Sequence, residues 1–158
     1  MRGERGYDGG KQVTGRKRHC LVDSYGLLLL VIVTVASVQD RDGAKMLLKA
    51  YAERNPDRRL YRIWVDGAYA GKLVEWVKIT FRCLLDVIHR PKGTQGFVLL
   101  KRRWVVERTF AWLNHSRRLS KEYEELTESS ETFIYMAMTQ IMLRRLAQRR
   151  HNDCSKHF

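Results

Sequence analysis

The stretch from Lys101 to Leu119, KRRWVVERTFAWLNHSRRL, carries one acidic side chain among six lysine and arginine residues. At 100° per residue, an α-helix over this stretch places that residue, Glu107, on one stripe with Arg103, Asn114 and Arg118. The remaining sides are mostly apolar: Trp104, Val105, Val106, Phe110, Trp112 and Leu113. A helix with this pattern is predicted to be buried. A carboxylate on such a helix needs a partner, because burying an unpaired charge is costly.

Two interpretations of Glu107 are open. One is an ion pair with Arg103, one helical turn earlier, which is a structural role. The other is that Glu107 binds a divalent cation while the neighbouring arginines bind phosphates. Carboxylate oxygens are ligands that Mg²⁺ prefers, and such a metal activates water or a 3′-hydroxyl for in-line attack at phosphorus. Basic residues beside the acid suit a phosphodiester, because they contact its backbone.

A second carboxylate, Asp66, directly follows the apolar run YRIWV and precedes Gly67. Ligands of open α/β sheets bind where strands end. An Asp-Gly pair is also a common turn, and this is the more ordinary interpretation of Asp66 taken alone. Considered together, Asp66 and Glu107 are two carboxylates from separate elements that could hold Mg²⁺ or Mn²⁺.

The charge of the chain indicates a polyanionic partner. Its 158 residues carry a net charge of +13, which is typical of proteins that meet nucleic acid. Lys17 and Arg18 are candidate contacts to a DNA backbone, and a solvated basic face explains them equally well. The three cysteines are isolated, which indicates neither a zinc site nor a disulfide framework and fits a reducing cytoplasm. The longest apolar run, residues 27–38, is too short to span a bilayer, so no membrane partner is expected.

The hydrophobic pattern predicts a mixed α/β domain that begins with an antiparallel hairpin. Strands are predicted at residues 16–23, 27–38, 61–65 and 83–88, and helices at residues 43–54, 72–81, 101–119 and 131–149. Asp40 or Asp42 is expected to cap the first helix. The last helix is expected to face inward through Phe133, Ile134, Ala137, Ile141 and Met142.

Three blocks of sequence place these residues in a family. GRKRHCLVDSYGLLLLVIVTVASVQDRDGAKMLL, WVDGAYAGKLVEWV and RRWVVERTFAWLNHSRRLSKEYEELTESSETFIYMAMTQIMLRRLA resemble the C-terminal part of a bacterial insertion-sequence transposase. The resemblance is to the IS5-type branch of the DDE transposases and covers about residues 3–147. It implies a ribonuclease-H-like mixed sheet with flanking helices, two Mg²⁺ ions, and DNA strand cleavage and transfer at insertion-sequence ends. It also implies double-stranded DNA as partner, action as a homo-oligomer, and a bacterial cytoplasmic, nucleoid-associated location.

The resemblance assigns roles to individual residues. Asp66, in the DGAY block, matches the second catalytic aspartate of the family, and Glu107 matches its catalytic glutamate. Arg103 matches the arginine four positions before that glutamate, which contacts phosphate or orients the glutamate. Asn114 stands where related transposases often have a lysine, so a phosphate contact is expected instead from the pair of arginines at Arg117 and Arg118.

The family's first catalytic aspartate has no match in this chain. In the family it lies on the first, central strand, upstream of the segment that resembles RGYDGGKQVTGRKRH, and Asp8 does not match it. The resemblance therefore predicts a sheet truncated at the N-terminus, in which two strand edges lack a partner. The expected division is a flexible basic, Gly-rich arm at residues 1–15, a partial DDE domain at 16–149 and a frayed tail at 150–158.

Three functional hypotheses follow from this truncation. The chain is the catalytic C-terminal portion of a DDE transposase that needs an upstream segment for activity. Alternatively, it is a non-catalytic DNA-binding remnant or transposition inhibitor, in which the positive charge is retained and the active site is incomplete. A third hypothesis is a decayed gene product that does not fold stably.

Overall fold

The computed structural model describes residues 3–57, 60–89, 93, 102 and 104–154, with side chains described as far as residue 148. Its elements in chain order are β1 (Gly6–Asp8), β2 (Val13–Val22), β3 (Leu28–Val35), α1 (Asp40–Arg54), β4 (Arg62–Asp66), α2 (Lys72–Phe81), β5 (Leu84–Ile88), α3 (Trp104–Asn114) and α4 (Thr127–Cys154). Single turns of 3₁₀ helix follow β4 at Gly67–Tyr69 and α3 at Arg117–Leu119. The prediction of a mixed α/β chain is confirmed.

The described strands form two sheets. One is antiparallel, with β2 between β1 and β3 and with Lys17 opposite Thr34. The other is the parallel pair β4 and β5, in which Trp64 lies opposite Asp86. Among the described residues, β4 has a neighbour on one side only, and residues 16–22 of β2 pair with β3 alone.

The continuous apolar run of β3 is explained by helices that cover it on both sides. One core cluster joins β3 to α3 and α4, and consists of Val31, Val33, Leu113, Leu119, Ile134, Ala137 and Met138. A second joins the hairpin to α1, and consists of Leu21, Leu30, Leu47 and Tyr51. A third packs α1 and α2 against β5, and consists of Leu48, Leu73, Val77, Cys83 and Leu85. A strand buried on both faces has no polar face, so its sequence does not alternate.

Two predictions about local structure are wrong. Part of the expected N-terminal arm is in strands, because Gly6–Asp8 pairs with Val13–Gly15 across a turn in which Asp8 accepts the Gly10 N–H at 3.0 Å. Asp40 and Asp42 do not cap α1. The N-cap is Gln39, and the two aspartates lie in the first turn, where carboxylates suit the helix dipole.

Helix α4 matches the inward face predicted for it only in part. Ile134 and Ala137 are buried, but Met142 is 40% exposed, and Met138 is the buried methionine instead. In the core, α4 packs against β3, α3 and the 3₁₀ turn at Arg117–Leu119, and its buried positions end at Met138. The helix nevertheless continues to Cys154, so most of the side chains described beyond that point face solvent.

Candidate active site

A cavity of about 1190 Å³ is lined by both sheets and by α1, α2 and α3. Asp66, at the end of β4, and Glu107, on α3, both line it. These carboxylates are 41 positions apart in sequence (107 minus 66) and come from different elements. The fold therefore brings to one cavity the two residues that the sequence singled out for chemistry.

Asp66 is half-buried and forms the turn that its sequence predicts. Its Oδ1 accepts the N–H of Ala68 at 2.9 Å, which caps the 3₁₀ turn after β4. The Nε of Arg41 donates to the carbonyl of Ala68 at 2.8 Å, which fixes that turn against α1. The turn occupies one carboxylate oxygen and a carboxylate has two, so the structural role leaves room for a ligand.

Tyr69 lies beside Asp66 and was not anticipated as a site residue. It lines the cavity, and burial raises its pKa to about 12, with Asp40 and Asp66 adding to the effect. Its hydroxyl therefore stays protonated at neutral pH and can donate a hydrogen bond. The three-residue spacing of Asp66 and Tyr69 could have indicated that both face the same cavity, because residues three apart lie on the same side of a 3₁₀ turn.

The predicted burial of Glu107 is wrong, because this side chain is exposed. The fully buried side chains of α3 are Thr109 and Leu113, whereas Val106 and Phe110 are half-buried along the cavity. The apolar side of α3 therefore borders the cavity. The proposed partner Arg103 lies outside the described residues.

Lys17 and Arg18 are held by contacts inside the protein. Nζ of Lys17 lies 3.1 Å from both Asp8 and Asp40. Burial lowers the pKa of Lys17, but hydrogen bonds with these two carboxylates outweigh it and the net shift is upward. Arg18 donates to the carbonyl of Leu119 at 2.9 Å and lies 3.6 Å from Glu122. Their role as DNA contacts stays a prediction, and this geometry does not favour it.

The two arginines after α3 differ in their surroundings. Arg118 donates to Glu124 at 2.7 Å and its guanidinium lies 4.5 Å from the Phe133 ring centroid. Arg117 is exposed in the 3₁₀ turn. Of this pair, Arg117 is the better placed for a phosphate.

Arg102 is a cavity residue that sequence reasoning did not select. Its guanidinium carbon lies 4.0 Å from the ring centroid of Trp64 on β4. Its backbone has φ of 73°, which is unusual for a residue with a side chain and is often found at functional sites. Stacking on Trp64 fixes the plane of the guanidinium in the cavity that Asp66 and Glu107 also line, and leaves its N–H edge for a phosphate.

The described residues alone do not supply a complete metal cage. Within the described ranges, no group of three or more His, Cys, Asp or Glu side chains is arranged to hold a metal ion. Asp66 and Glu107 have the right oxygen chemistry for Mg²⁺, but two carboxylates leave most of the ligand positions of that ion to other donors.

His19, which lines the cavity, is expected to make the stability of the fold depend on pH. The buried ring lies 2.9 Å from the hydroxyl of Thr34, and burial lowers its pKa, against a smaller upward effect of Asp40 and alongside a downward effect of Lys17. In the unfolded chain a histidine titrates at about pH 6.5, so the contribution of the neutral ring to the free energy of unfolding is fully present above that pH. We expect the melting temperature to fall as the pH is lowered from about 6.5 through the folded pKa.

This dependence is measured by thermal unfolding across a pH series. His19→Gln, which keeps a hydrogen-bonding group near Thr34, should flatten the profile in that window. His115→Gln is the control, because His115 is exposed and its replacement should leave the profile unchanged. An unchanged profile in His19→Gln would contradict the assignment.

Comparison with known proteins identifies the class to which this fold and cavity belong. Residues 1–142 match the family model described as the transposase DDE domain. The chain belongs to this family of DDE transposases. It is also 31% identical over 125 residues to a protein of Burkholderia cepacia named as a transposase for insertion sequence element IS402.

The similarity covers only part of the length of the IS402 protein. The alignment covers 76% of this chain and 59% of the IS402 protein. The chain therefore spans less than two thirds of the curated relative that it matches. No solved structure matches it significantly. None of the described helices is both long and apolar enough to cross a membrane.

Proposed function

We propose that this chain is the C-terminal catalytic portion of a DDE transposase of the IS5-type branch, with a ribonuclease-H-like sheet that an upstream segment completes. In that complex it cleaves and transfers DNA strands at insertion-sequence ends, as a homo-oligomer at the bacterial nucleoid. The observation that carries the proposal is the meeting of Asp66 and Glu107 at one cavity in a chain of this family.

Asp66 and Glu107 are proposed to hold Mg²⁺ or Mn²⁺ together with oxygens from the upstream segment and from the DNA phosphate. The bound metal would supply Lewis-acid activation of the scissile phosphate and of the attacking hydroxyl. The chain's own residues position the carboxylates that would bind the metal. The capping bond to Ala68 fixes Asp66 at the end of β4, and Tyr69, whose hydroxyl stays protonated, lines the same cavity.

Arg102, which lines the cavity, and Arg117, which is exposed in the 3₁₀ turn after α3, are proposed to bind DNA phosphates, with Arg103, Arg118, Lys17 and Arg18 as further candidates from the sequence. Replacing Arg102 by alanine should weaken binding of duplex DNA uniformly across sequences. The slope of log affinity against log salt should fall by roughly one, as expected for one lost phosphate contact.

Fluorescence titrations of a labelled DNA duplex at several salt concentrations measure this slope. Arg54→Ala is the matched control, because Arg54 is an exposed arginine at the end of α1 that does not line the cavity. Equal slopes for the two variants would show that Arg102 makes no phosphate contact of its own.

The proposed activity is tested with a duplex that carries the terminal sequences of the element encoding this chain. The protein is incubated with Mg²⁺ or Mn²⁺, alone and with the separately produced upstream segment, and nicked and joined strands are resolved on denaturing gels. Products are expected only when both polypeptides and a metal are present. Cleavage by the isolated chain that survives Asp66→Ala and Glu107→Ala would overturn the proposal.

The second candidate is a non-catalytic DNA-binding remnant or transposition inhibitor. It is favoured by one observation, that the described part of the chain contains no three-ligand metal cluster. Its net charge of +13 is sufficient for salt-dependent DNA binding. Binding without nicking, even when the upstream segment is supplied, would select this candidate.

A further inference from the structure

The hairpin tip between β2 and β3, residues 23–27, is held in one conformation by its own polar groups. Oδ1 of Asp23 accepts the N–H groups of Tyr25 and Leu27, each at 2.8 Å. The N–H of Gly26 donates to the Asp23 carbonyl at 3.0 Å, and the Gly26 backbone has φ of 79°, which glycine adopts without steric cost. The tip is therefore an ordered turn that can present its carbonyls to another element.

Helix α3 binds two consecutive carbonyls of this tip through two consecutive residues. The guanidinium of Arg108 donates to the Tyr25 carbonyl at 2.9 Å, and the hydroxyl of Thr109 donates to the Gly26 carbonyl at 2.8 Å. The same hydroxyl lies 3.0 Å from the carbonyl of Val105, so its one proton is shared between the tip and the helix. Thr109 is buried, so water does not replace its bond to the tip.

The tip and the helix also fit closely together. A Cβ at Gly26 would lie 2.8 Å from Oγ1 of Thr109 and 3.1 Å from the Trp112 ring, so this approach requires a glycine. The guanidinium of Arg108 lies 4.2 Å from the ring centroid of Trp104 and 4.7 Å from that of Trp112. These cation–π contacts hold the donor along α3 beside the tip.

The contacts with the tip constrain the position of Glu107 more closely than apolar packing does. Packing of α3 through Leu113 is non-directional, whereas hydrogen bonds are directional. Two bonds from consecutive residues fix both the rotation of α3 and its position along its axis. A slip of one residue would shift the helix by about 1.5 Å and turn it by about 100°, which would carry Glu107 away from the cavity.

Glu107 and Thr109 face different sides of the same helix. Residues two apart on an α-helix point about 200° from each other, so binding of Thr109 to the tip directs the carboxylate of Glu107 away from the tip. Glu107 lines the cavity and Thr109 does not. Thr109 can therefore affect chemistry in the cavity only through the helix that it shares with Glu107.

We propose that the hairpin tip positions the active site, and that Thr109 is the positioning residue through which the tip places the carboxylate of Glu107. The inference rests on the proposed function for the role of Glu107 as a metal ligand. A misplacement of about 1 Å in an active site can lower the rate by about a hundredfold. A purely structural role for Thr109 predicts a different result, a loss of stability without a loss of rate.

The first test compares two substitutions of Thr109 in the chain supplied with its upstream segment. Thr109→Val removes the hydroxyl and keeps the shape of the side chain, whereas Thr109→Ser keeps the hydroxyl. At saturating DNA and Mg²⁺, Thr109→Val should lower single-turnover strand cleavage at least about tenfold, and Thr109→Ser should restore it to within about threefold of the wild-type rate. The affinity for DNA should be unchanged in both variants.

Val77→Ala is the control for a loss of stability alone. Val77 is buried on α2 and does not line the cavity. Its truncation should lower the melting temperature at least as much as Thr109→Val does, because it leaves a cavity in the core. Below that temperature Val77→Ala should cleave DNA at the wild-type rate.

The second test measures the position of α3 in the full chain without any cleavage. Nitroxide labels are attached through Ala111→Cys on α3 and Lys72→Cys at the start of α2, which are exposed positions outside the cavity. Cys154 is replaced by serine. Burial raises the pKa of the Cys20 and Cys83 thiols, so these react slowly with the label. Pulsed electron paramagnetic resonance gives the separation of the two labels.

In Thr109→Val this separation should shift or broaden by at least about 1.5 Å, the rise of one helical residue, and Thr109→Ser should return it to the wild-type value. The inference is overturned if Thr109→Val leaves the separation unchanged, or if it cleaves DNA at the rate of Val77→Ala. If the wild-type complex cleaves no DNA, the proposed function fails, and the label separation still decides whether the tip positions α3. Should Thr109→Val not fold, Arg108→Met removes the other bond to the tip and is judged by the same two measurements.

Discussion

Asp66→Asn and Glu107→Gln should each lower DNA strand cleavage by about a thousandfold or more, in the chain supplied with its upstream segment. A bound metal contributes several kcal/mol to the charge stabilisation of a phosphoryl transition state, and about 4 kcal/mol corresponds to a thousandfold in rate. Asparagine and glutamine keep a neutral carbonyl oxygen but lose the negative charge that attracts the divalent cation. Single-turnover cleavage of end-labelled DNA measures the effect directly.

These substitutions separate chemistry from folding. Asparagine is as good an N-cap as aspartate, so Asp66→Asn should keep the bond to the Ala68 N–H. Glu107 is exposed, so its replacement by glutamine should also leave the melting temperature nearly unchanged. Glu75→Gln is the control, since Glu75 is exposed on α2 and does not line the cavity. Variants that cleave at the wild-type rate while binding DNA normally would remove both residues from the active site.

Local patterns were sufficient for most of the secondary structure. The apolar run of β3 and the helical period of α2 depend on neighbours within a few residues, and α2 has the predicted bounds. The strand Gly6–Asp8 was not foreseen because its glycines and charges are typical of loops. It exists because the chain turns back at residues 9–12 and pairs with the start of β2.

Burial and ion pairing depended on distant residues and were predicted poorly. Arg18 is neutralised by Glu122, more than a hundred positions away, and no local pattern indicates that contact. Glu107 was expected to be buried because its helix is apolar on most sides. Its helix instead borders a cavity, so an apolar surface alone did not establish what covers it.

Sequence reasoning selected a pair of candidate site residues but not the geometry around them. The residue types and the family resemblance both selected Asp66 and Glu107, and the structure places both on one cavity. Arg102 and Tyr69 were missed, because their importance depends on the Trp64 ring and on neighbouring carboxylates brought together by folding.

The largest effect on stability is expected from Gly43→Ala, which should lower the free energy of unfolding although helix propensity alone would raise it. Alanine within a helix is more favourable than glycine by about 1 kcal/mol. A Cβ at Gly43, however, would overlap Cε1 and Nε2 of the His19 ring. That ring is buried and bonded to Thr34, so it cannot move aside freely. Overpacking of this kind costs about 1–3 kcal/mol, which should outweigh the gain in propensity.

A double-mutant cycle with His19→Ala isolates this contact from every other effect of the substitutions. In the His19→Ala background the added methyl group meets no ring, so Gly43→Ala should become neutral or stabilising by up to about 1 kcal/mol. Urea unfolding of the four proteins gives the coupling free energy, which should be at least about 1 kcal/mol. Equal effects of Gly43→Ala in both backgrounds would show that α1 does not pack against His19. That result would also contradict the position of α1 along the cavity.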